Sequence, residues 1–384
     1  MKSPLVAIFL IVSIDVLGLT IILPLLPFYA EKMGATPAVV GLLVSTYALC
    51  QLIAGPILGR MSDHMGRRPL LLVSQLGTFA GFLLLAYSKV LWLVFLSRII
   101  DGLTAGNLSL AQAYISDVTK PEERAKSFAL IGIAFGMGFL IGPAISGFLA
   151  QFSYQYPIFA AATLSAGSIL STYFLLPATL PAAADAATPR KFTLLDWGNY
   201  ARYFREPGLA ALLWQFFAFA FTFSLFMTGF PLFAERRFEW HGHAFGPKEV
   251  GYVYAYLGVL GVILQGGLMG RLVKVFGEMR LVRAGFFLAM AGLAALGFTH
   301  GIPLLLVVAA AASIGTGVNR PALTSLITQK AGRSEQGVVL GLTQSLNSIS
   351  AICAPAVAGF LIDHSLLATW ALLAAAISGA ALLL

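Results

Sequence analysis

The chain has 384 residues, 59% of them hydrophobic and 10% charged, with a mean hydropathy of +0.87. A soluble domain carries about 25% charged residues, so this composition excludes a water-soluble globular protein and makes the bilayer the solvent. The net charge of +8 could suggest a nucleic-acid partner, but the placement of the charge along the chain argues for membrane orientation instead, and no nucleic acid is expected. Cys50 and Cys353 both lie in apolar runs, where thiols pack as small hydrophobes. No disulfide framework or metal-ligand spacing is visible, so neither a metal nor a cofactor is expected.

A membrane-crossing helix needs about 20 mostly apolar residues. Twelve such runs are predicted, at 5–28, 38–58, 70–88, 91–115, 126–150, 155–177, 208–233, 249–270, 281–299, 302–327, 335–361 and 366–384. The fold class is therefore an all-α polytopic membrane protein. The first run is too long for a cleavable signal and holds Pro24 and Pro27 near its end. It also carries Asp15 near mid-depth, with no charged neighbour in the same run. Between the second and third runs, GRMSDHMGRRP (59–69) crowds Arg60, Asp63, His64, Arg67 and Arg68 into a short turn. Gly59 and Gly66 there permit close helix approach and tight turning, and Asp63 is placed to accept hydrogen bonds or face a helix N-terminus.

In the fourth run, SRIIDGLTAGN (97–107) puts Arg98 and Asp101 three residues apart, on one helical face. The fifth, GMGFLIGPAISG (136–147), lines up Gly138, Gly142 and Ser146 for close packing, with Gly147 beside them and Pro143 bending the helix. Residues 178–207 drop in hydropathy and form the best linker candidate, dividing the chain into bundles at 1–177 and 208–384. The seventh run, WQFFAFAFTFSLF (214–226), is crowded with aromatics that cover all its faces, Phe219 among them. The tenth holds Asn319 and Arg320 just before Pro321.

Asp15 and Asp101 are the only acids, and Arg98 and Arg320 the only bases, well inside the runs. A charge at mid-bilayer costs at least about 2.5–3.5 kcal/mol, so each needs a partner or water. Asp15 reads either as a proton carrier or as a neutral acid bonding between helices. Arg98 and Asp101 read either as a self-neutralising pair or as a pair in which Asp101 exchanges Arg98 for a proton. Arg320 either meets an anionic substrate group or compensates one of the acids. Gln51, Asn107, Gln112, Gln215, Gln265, Asn319, Gln344 and Asn347 are the polar candidates for a substrate cavity, and Phe219 is an aromatic one. With the N-terminus inside, 17 of the 24 basic residues fall on inner segments and five on outer loops. That bias is the positive-inside pattern, and it predicts both termini in the cytoplasm.

The two halves also repeat. PFYAEK (27–32) returns as PLFAER (231–236), Asn107 as Asn319, and GPAISGFL (142–149) as APAVAGFL (354–361). Gly55, Gly59 and Gly66 return as Gly266, Gly270 and Gly277, with Lys274 in the place of Asp63. Two pseudo-symmetric six-helix bundles around a midplane site make a recurring transporter plan.

At this point the chain resembles the major facilitator superfamily over its whole length. GRMSDHMGRRP is similar to the family's loop signature, SRIIDGLTAGN to its arginine-glycine motif, and GMGFLIGPAISG to its antiporter motif. DVLGLTIILPLLP (15–27), YALCQLIAGPILGRMSDHMGRRPLLL (47–72) and AYISDVTKPEERAKSF (113–128) resemble the tetracycline and multidrug proton antiporters. The resemblance implies that Asp63 faces the helix beginning near Glu335, and that Arg67 pairs with Asp117 in a latch released on opening. It also implies proton coupling through Asp15, which matches an acidic position of the tetracycline antiporters. It departs at two places: the acid of the family's third helix falls on Gly81, and the ninth run has no acid.

The expectation is a bacterial inner-membrane antiporter that exports a small amphipathic compound other than tetracycline in exchange for protons, working as a monomer in the lipid bilayer. A facilitator or importer of a small metabolite, with structural acids, is the alternative. An intramembrane enzyme is disfavoured: all five histidines lie in or beside loops, with no catalytic partner at helical spacing.

Overall fold

The computed structural model describes residues 4–119, 124–177, 202–206, 208–331 and 336–384. Most of the expected linker lies outside the described residues, and so does Glu335. The first half comprises α1 (Pro4–Glu31), α2 (Pro37–Met65), α3 (Arg67–Ala86), α4 (Leu91–Leu103), α5 (Asn107–Val118), α6 (Arg124–Ala150) and α7 (Gln155–Leu175). The second comprises α8 (Leu209–Arg237), α9 (Pro247–Ile263), α10 (Met269–Phe276), α11 (Glu278–Leu296), α12 (Ile302–Lys330), α13 (Gln336–Asp363) and α14 (Leu367–Leu383). A two-stranded hairpin, β1 (Glu239–Trp240) and β2 (His243–Ala244), follows α8. By length and apolarity, 11 helical spans among the described residues can cross a membrane, and α14 is a shorter apolar helix.

Two of the predicted spans are interrupted. The fourth, expected as one helix over 91–115, breaks between α4 and α5 at Thr104–Gly106. The eighth, expected over 249–270, passes through a π-helical turn at Leu264–Leu268 between α9 and α10. That turn holds Gly266 and Gly267, whose added Cβ atoms would meet nothing within 4 Å. Apolar periodicity does not report either break, because both spans stay greasy throughout.

The described residues sort into two compact units, one from the N-terminus to Gly34 and from Thr46 through α7, the other from Ala35–Ser45 and the described residues beyond the linker. The first turns of α2 thus belong to the second unit. There Ser45 donates to the Ile352 carbonyl at 2.6 Å, and a Cβ on Gly359 would stand 3.1 Å from the Gly41 Cα. Within each unit the packing order repeats. The first helix (α1, α8) packs on the fifth and sixth spans (α6 and α7, α13 and α14), and the third (α3, α11) on the fourth and sixth.

Glycine sets how close α1 and α6 come. A Cβ on Gly138 would stand 2.7 Å from Val16 Cγ1, and one on Gly142 would stand 2.8 Å from Thr20 Cβ. Thr20 Oγ1 donates to the Gly138 carbonyl at 2.9 Å. The small face read from the fifth run is thus a packing face, and α6 continues through Pro143, with Ser146 and Gly147 buried. Gly142→Val should overpack this contact by about 1–3 kcal/mol and lower the thermal unfolding midpoint in detergent. Gly132→Ala on the same helix, where a Cβ meets nothing within 4 Å, should leave the midpoint unchanged or raise it slightly.

Candidate functional site

The site grows out of the break between α4 and α5. Interrupting a helix frees backbone groups that hydrocarbon cannot satisfy. Here α3 satisfies them: Ser74 Oγ donates to the Thr104 carbonyl and accepts the Gly106 amide at 2.9 Å. Thr104 Oγ1 turns back on the Ile100 carbonyl at 2.8 Å. Small residues bring the helices together around it. Gly77 faces the Thr104 side chain, a Cβ on Gly102 would stand 2.7 Å from the Tyr47 carbonyl, and one on Gly81 would stand 3.0 Å from the Asp101 Cβ. Position 81 therefore has no room for an acid. The carboxylate next to it comes instead from Asp101 on α4.

This arrangement lines a half-open cavity of about 120 Å³ within the first unit, walled by Asp15, Asp101, Tyr47, Gln51, Thr78 and Asn107, with Phe82 and Phe135 as aromatic faces. That volume equals about four water molecules. Drug-sized ligands occupy about 300–1,000 Å³, so the cavity suits protons, water or a small head group rather than a whole substrate. Asp101 Oδ2 lies 3.1 Å from Arg98 Nη1, both residues buried, and Thr78 stands beside its carboxylate. Arg98 lies over the Phe82 ring at 5.7 Å. Asp15 has Ser168 and Gln75 as polar neighbours. Two carboxylates and one guanidinium therefore converge on this small space.

Of the residues expected at the site, Asp15, Asp101, Gln51 and Asn107 line this cavity, and Arg98 stands behind Asp101. Gln51 donates to the Tyr47 hydroxyl at 3.4 Å. The other cavity candidates lie elsewhere. Gln112 is exposed on α5. Gln215 is buried and donates to the Ala381 carbonyl at 3.0 Å, an interhelical bond. Phe219 belongs to the apolar core of the second unit and stacks on Phe223. Asn319 is buried against Gly285 in the α11–α12 contact. Gln265, Arg320 and Gln344 are exposed and Asn347 half-buried on the second unit. Gln215, Phe219 and Asn319 thus sit in packing seams of the second unit, while Gln112, Gln265, Arg320 and Gln344 lie on the surface of their own unit, outside this cavity. Gln75, Ser168 and Thr78 were missed. Gln75 carried the available signal, a polar side chain at membrane depth in a packed span.

At the end of the first unit that carries the charged turn, Gly66 takes φ +92, a conformation that favours glycine. Arg67 lies 2.8 Å from Asp117 and 2.5 Å from Asp63, and Arg68 donates to the Tyr173 carbonyl. Gly59 is different: an added Cβ would meet nothing within 4 Å, so close approach does not explain it. The second unit has a counterpart with the charges exchanged. Where Asp63 and Arg67 stand in the first half, Lys274 and Glu278 stand in the second. Glu278 accepts from Ser325 at 2.6 Å and from Gln329, the repeat mate of Asp117, at 2.8 Å. The acid missing at Lys274 is thus supplied four residues later, past the break at Gly277. The implied partner of Asp63 near Glu335 lies outside the described residues. Among those residues no group of three or more histidine, cysteine or acidic side chains could hold a metal.

Comparison with known proteins agrees in kind. The family profile of the Major Facilitator Superfamily matches residues 8–273 and 266–384. The chain is 33% identical to the class E tetracycline resistance protein of Escherichia coli, across 91% of this chain and 86% of that protein. It is 28% identical to multidrug resistance protein 2 of Bacillus subtilis (strain 168), across 90% and 86%. Among solved structures, the nucleoside transporter NupG superposes with a TM-score of 0.77 at 15% identity, across 100% of this chain and 98% of that one.

The buried ion pair makes a stability prediction. Asp101→Leu leaves the Arg98 charge unpaired and should destabilise the protein by about 3–5 kcal/mol, whereas Arg98→Leu/Asp101→Leu removes both charges and should recover most of that loss. Thermal unfolding of the two variants in one detergent checks it. A double variant as unstable as the single one would show that the pair is not the stabilising element.

Proposed function

Because the chain belongs to the major facilitator superfamily, a family of multi-pass membrane transporters, we propose that it exports a small amphipathic compound in exchange for protons. Transport proceeds by alternating access between two six-helix bundles, residues 1–177 and 208–384, joined by the 178–207 linker. The protein acts as a monomer in a bacterial inner membrane, with both termini in the cytoplasm. The observation that carries the reading is the shared cavity of Asp15 and Asp101. Arg98 can neutralise one carboxylate, leaving the other to be matched by a proton or by a cationic group, since an unmatched charge there is expensive. A site that must hold one of the two, and not both, is the electrostatic requirement for exchange. The names of the relatives, for tetracycline and multidrug resistance, support export of a drug-like compound. A compound other than tetracycline is favoured, because α11 has no acid beyond Glu278 at its first residue.

In this scheme the Arg67–Asp63–Asp117 cluster is a latch that forms and breaks as the inner side shuts and opens. Proteoliposomes with an imposed pH gradient, screened against amphipathic dyes, antibiotics and metabolites, test the coupling. The gradient should drive uptake or release of at least one amphipathic compound, and Asp15→Asn should reduce that movement to the leak of empty vesicles. Gradient-driven transport unchanged in Asp15→Asn would overturn the assignment of the proton site.

A further inference from the structure

Gln75 and Ser168 are absent from the expected site and from the exchange scheme above, yet both are completely buried, at 0% exposure. Gln75 Nε2 donates to Ser168 Oγ at 2.7 Å, bridging α3 and α7. Both side chains stand beside the Asp15 carboxyl on α1. The Gln75 Oε1 has no hydrogen-bond partner although it is fully enclosed. An orphaned amide oxygen in hydrocarbon is costly unless some state of the protein fills it.

We propose that the Gln75–Ser168 pair is the positioning device for Asp15, an uncharged bridge that hydrogen-bonds the carboxyl in both its ionised and its protonated form. A primary amide suits this role because it both donates and accepts. Toward an ionised Asp15, the amide and the Ser168 hydroxyl donate. Toward a protonated Asp15, the unpartnered Gln75 oxygen accepts the carboxyl hydrogen. A lysine or arginine at position 75 would serve only the ionised form, and leucine would serve neither. The remaining titratable and charged groups around Asp15 are Asp101 and Arg98 on α4 and Tyr47 on α2; α3, α5, α6 and α7 bring only uncharged side chains to the cavity among the described residues. Gln75 and Ser168 are therefore the nearest groups that can balance the two forms without adding charge.

The proposal rests on the reading of Asp15 as the proton site, so its test is made independently of transport. Infrared titration of the full-length protein in lipid follows the carboxyl C=O band, and the component lost in Asp15→Asn belongs to Asp15. Gln75→Leu should raise the midpoint of that component by about one pH unit, because the hydrogen bond lost by the ionised carboxylate is stronger than the one lost by the protonated acid. Ser168→Ala, a smaller change that leaves the amide in place, should raise it by less. Thermal unfolding confirms that each variant is folded, and if Gln75→Leu is not, Ser168→Ala decides alone. Midpoints equal to that of the parent protein in the folded variants, or moved downward, would overturn the proposal. A moved midpoint with no pH-driven transport in the parent protein would instead sink the exchange function and leave the bridge standing.

Discussion

One constraint organises the first unit: polar atoms in a bilayer must be satisfied by the protein itself. α3 is where that constraint is met. Along one stretch it offers Ser74 to the broken backbone of α4 and α5, Gln75 to Asp15 and Ser168, and Thr78 to Asp101. Between these polar side chains, Gly77 and Gly81 let α4 come close enough for the bonds to form. Without the small residues the Ser74 and Thr78 hydroxyls could not come up to the fourth span. Without those partners the break and the buried acids could not exist in hydrocarbon. Packing and chemistry are here one arrangement.

The break in the fourth span has a functional consequence. It turns Ala105, Asn107 and Leu108 onto the cavity wall beside Asp15 and Asp101. A continuous helix would carry its backbone hydrogen bonds internally and would need nothing from Ser74. The protein instead uses a side-chain cap to hold an irregular segment at membrane depth, where irregular backbone is tolerated only beside a cavity or inside protein. In the proposed exchange, the charge count in the same space, two carboxylates against one guanidinium, is what leaves a place for a proton. A cavity with balanced charges would leave none.

Much of this was legible in the sequence, and the reasons for the rest are specific. The span pattern, the repeat, the charged turn and the Arg98–Asp101 spacing are all written in one dimension, because helix period and hydropathy are local properties. Asp15 and Asp101 stood out because acids in apolar runs are rare. The interruptions were hidden, since neither contains proline and their cause, Ser74 on another helix in the case of α4, is a tertiary contact. Gln215, Asn319 and Phe219 could not be told from cavity residues, because the face a side chain presents depends on neighbours far away in sequence. Lys274 hides its half's acid for a similar reason: Glu278, four residues on and past the break at Gly277, is bonded to Gln329, the repeat mate of Asp117.

In the proposed exchange, proton and substrate compete for the negative charge in one cavity. The most direct measurement is proton release on binding, followed with a pH-sensitive dye in weakly buffered detergent solution while an exported amphipathic compound is titrated into purified protein. Saturating the protein with the compound should release protons, and the release should vanish in Asp15→Asn. Full binding with no proton released by the parent protein at any pH at which it transports would contradict the claim.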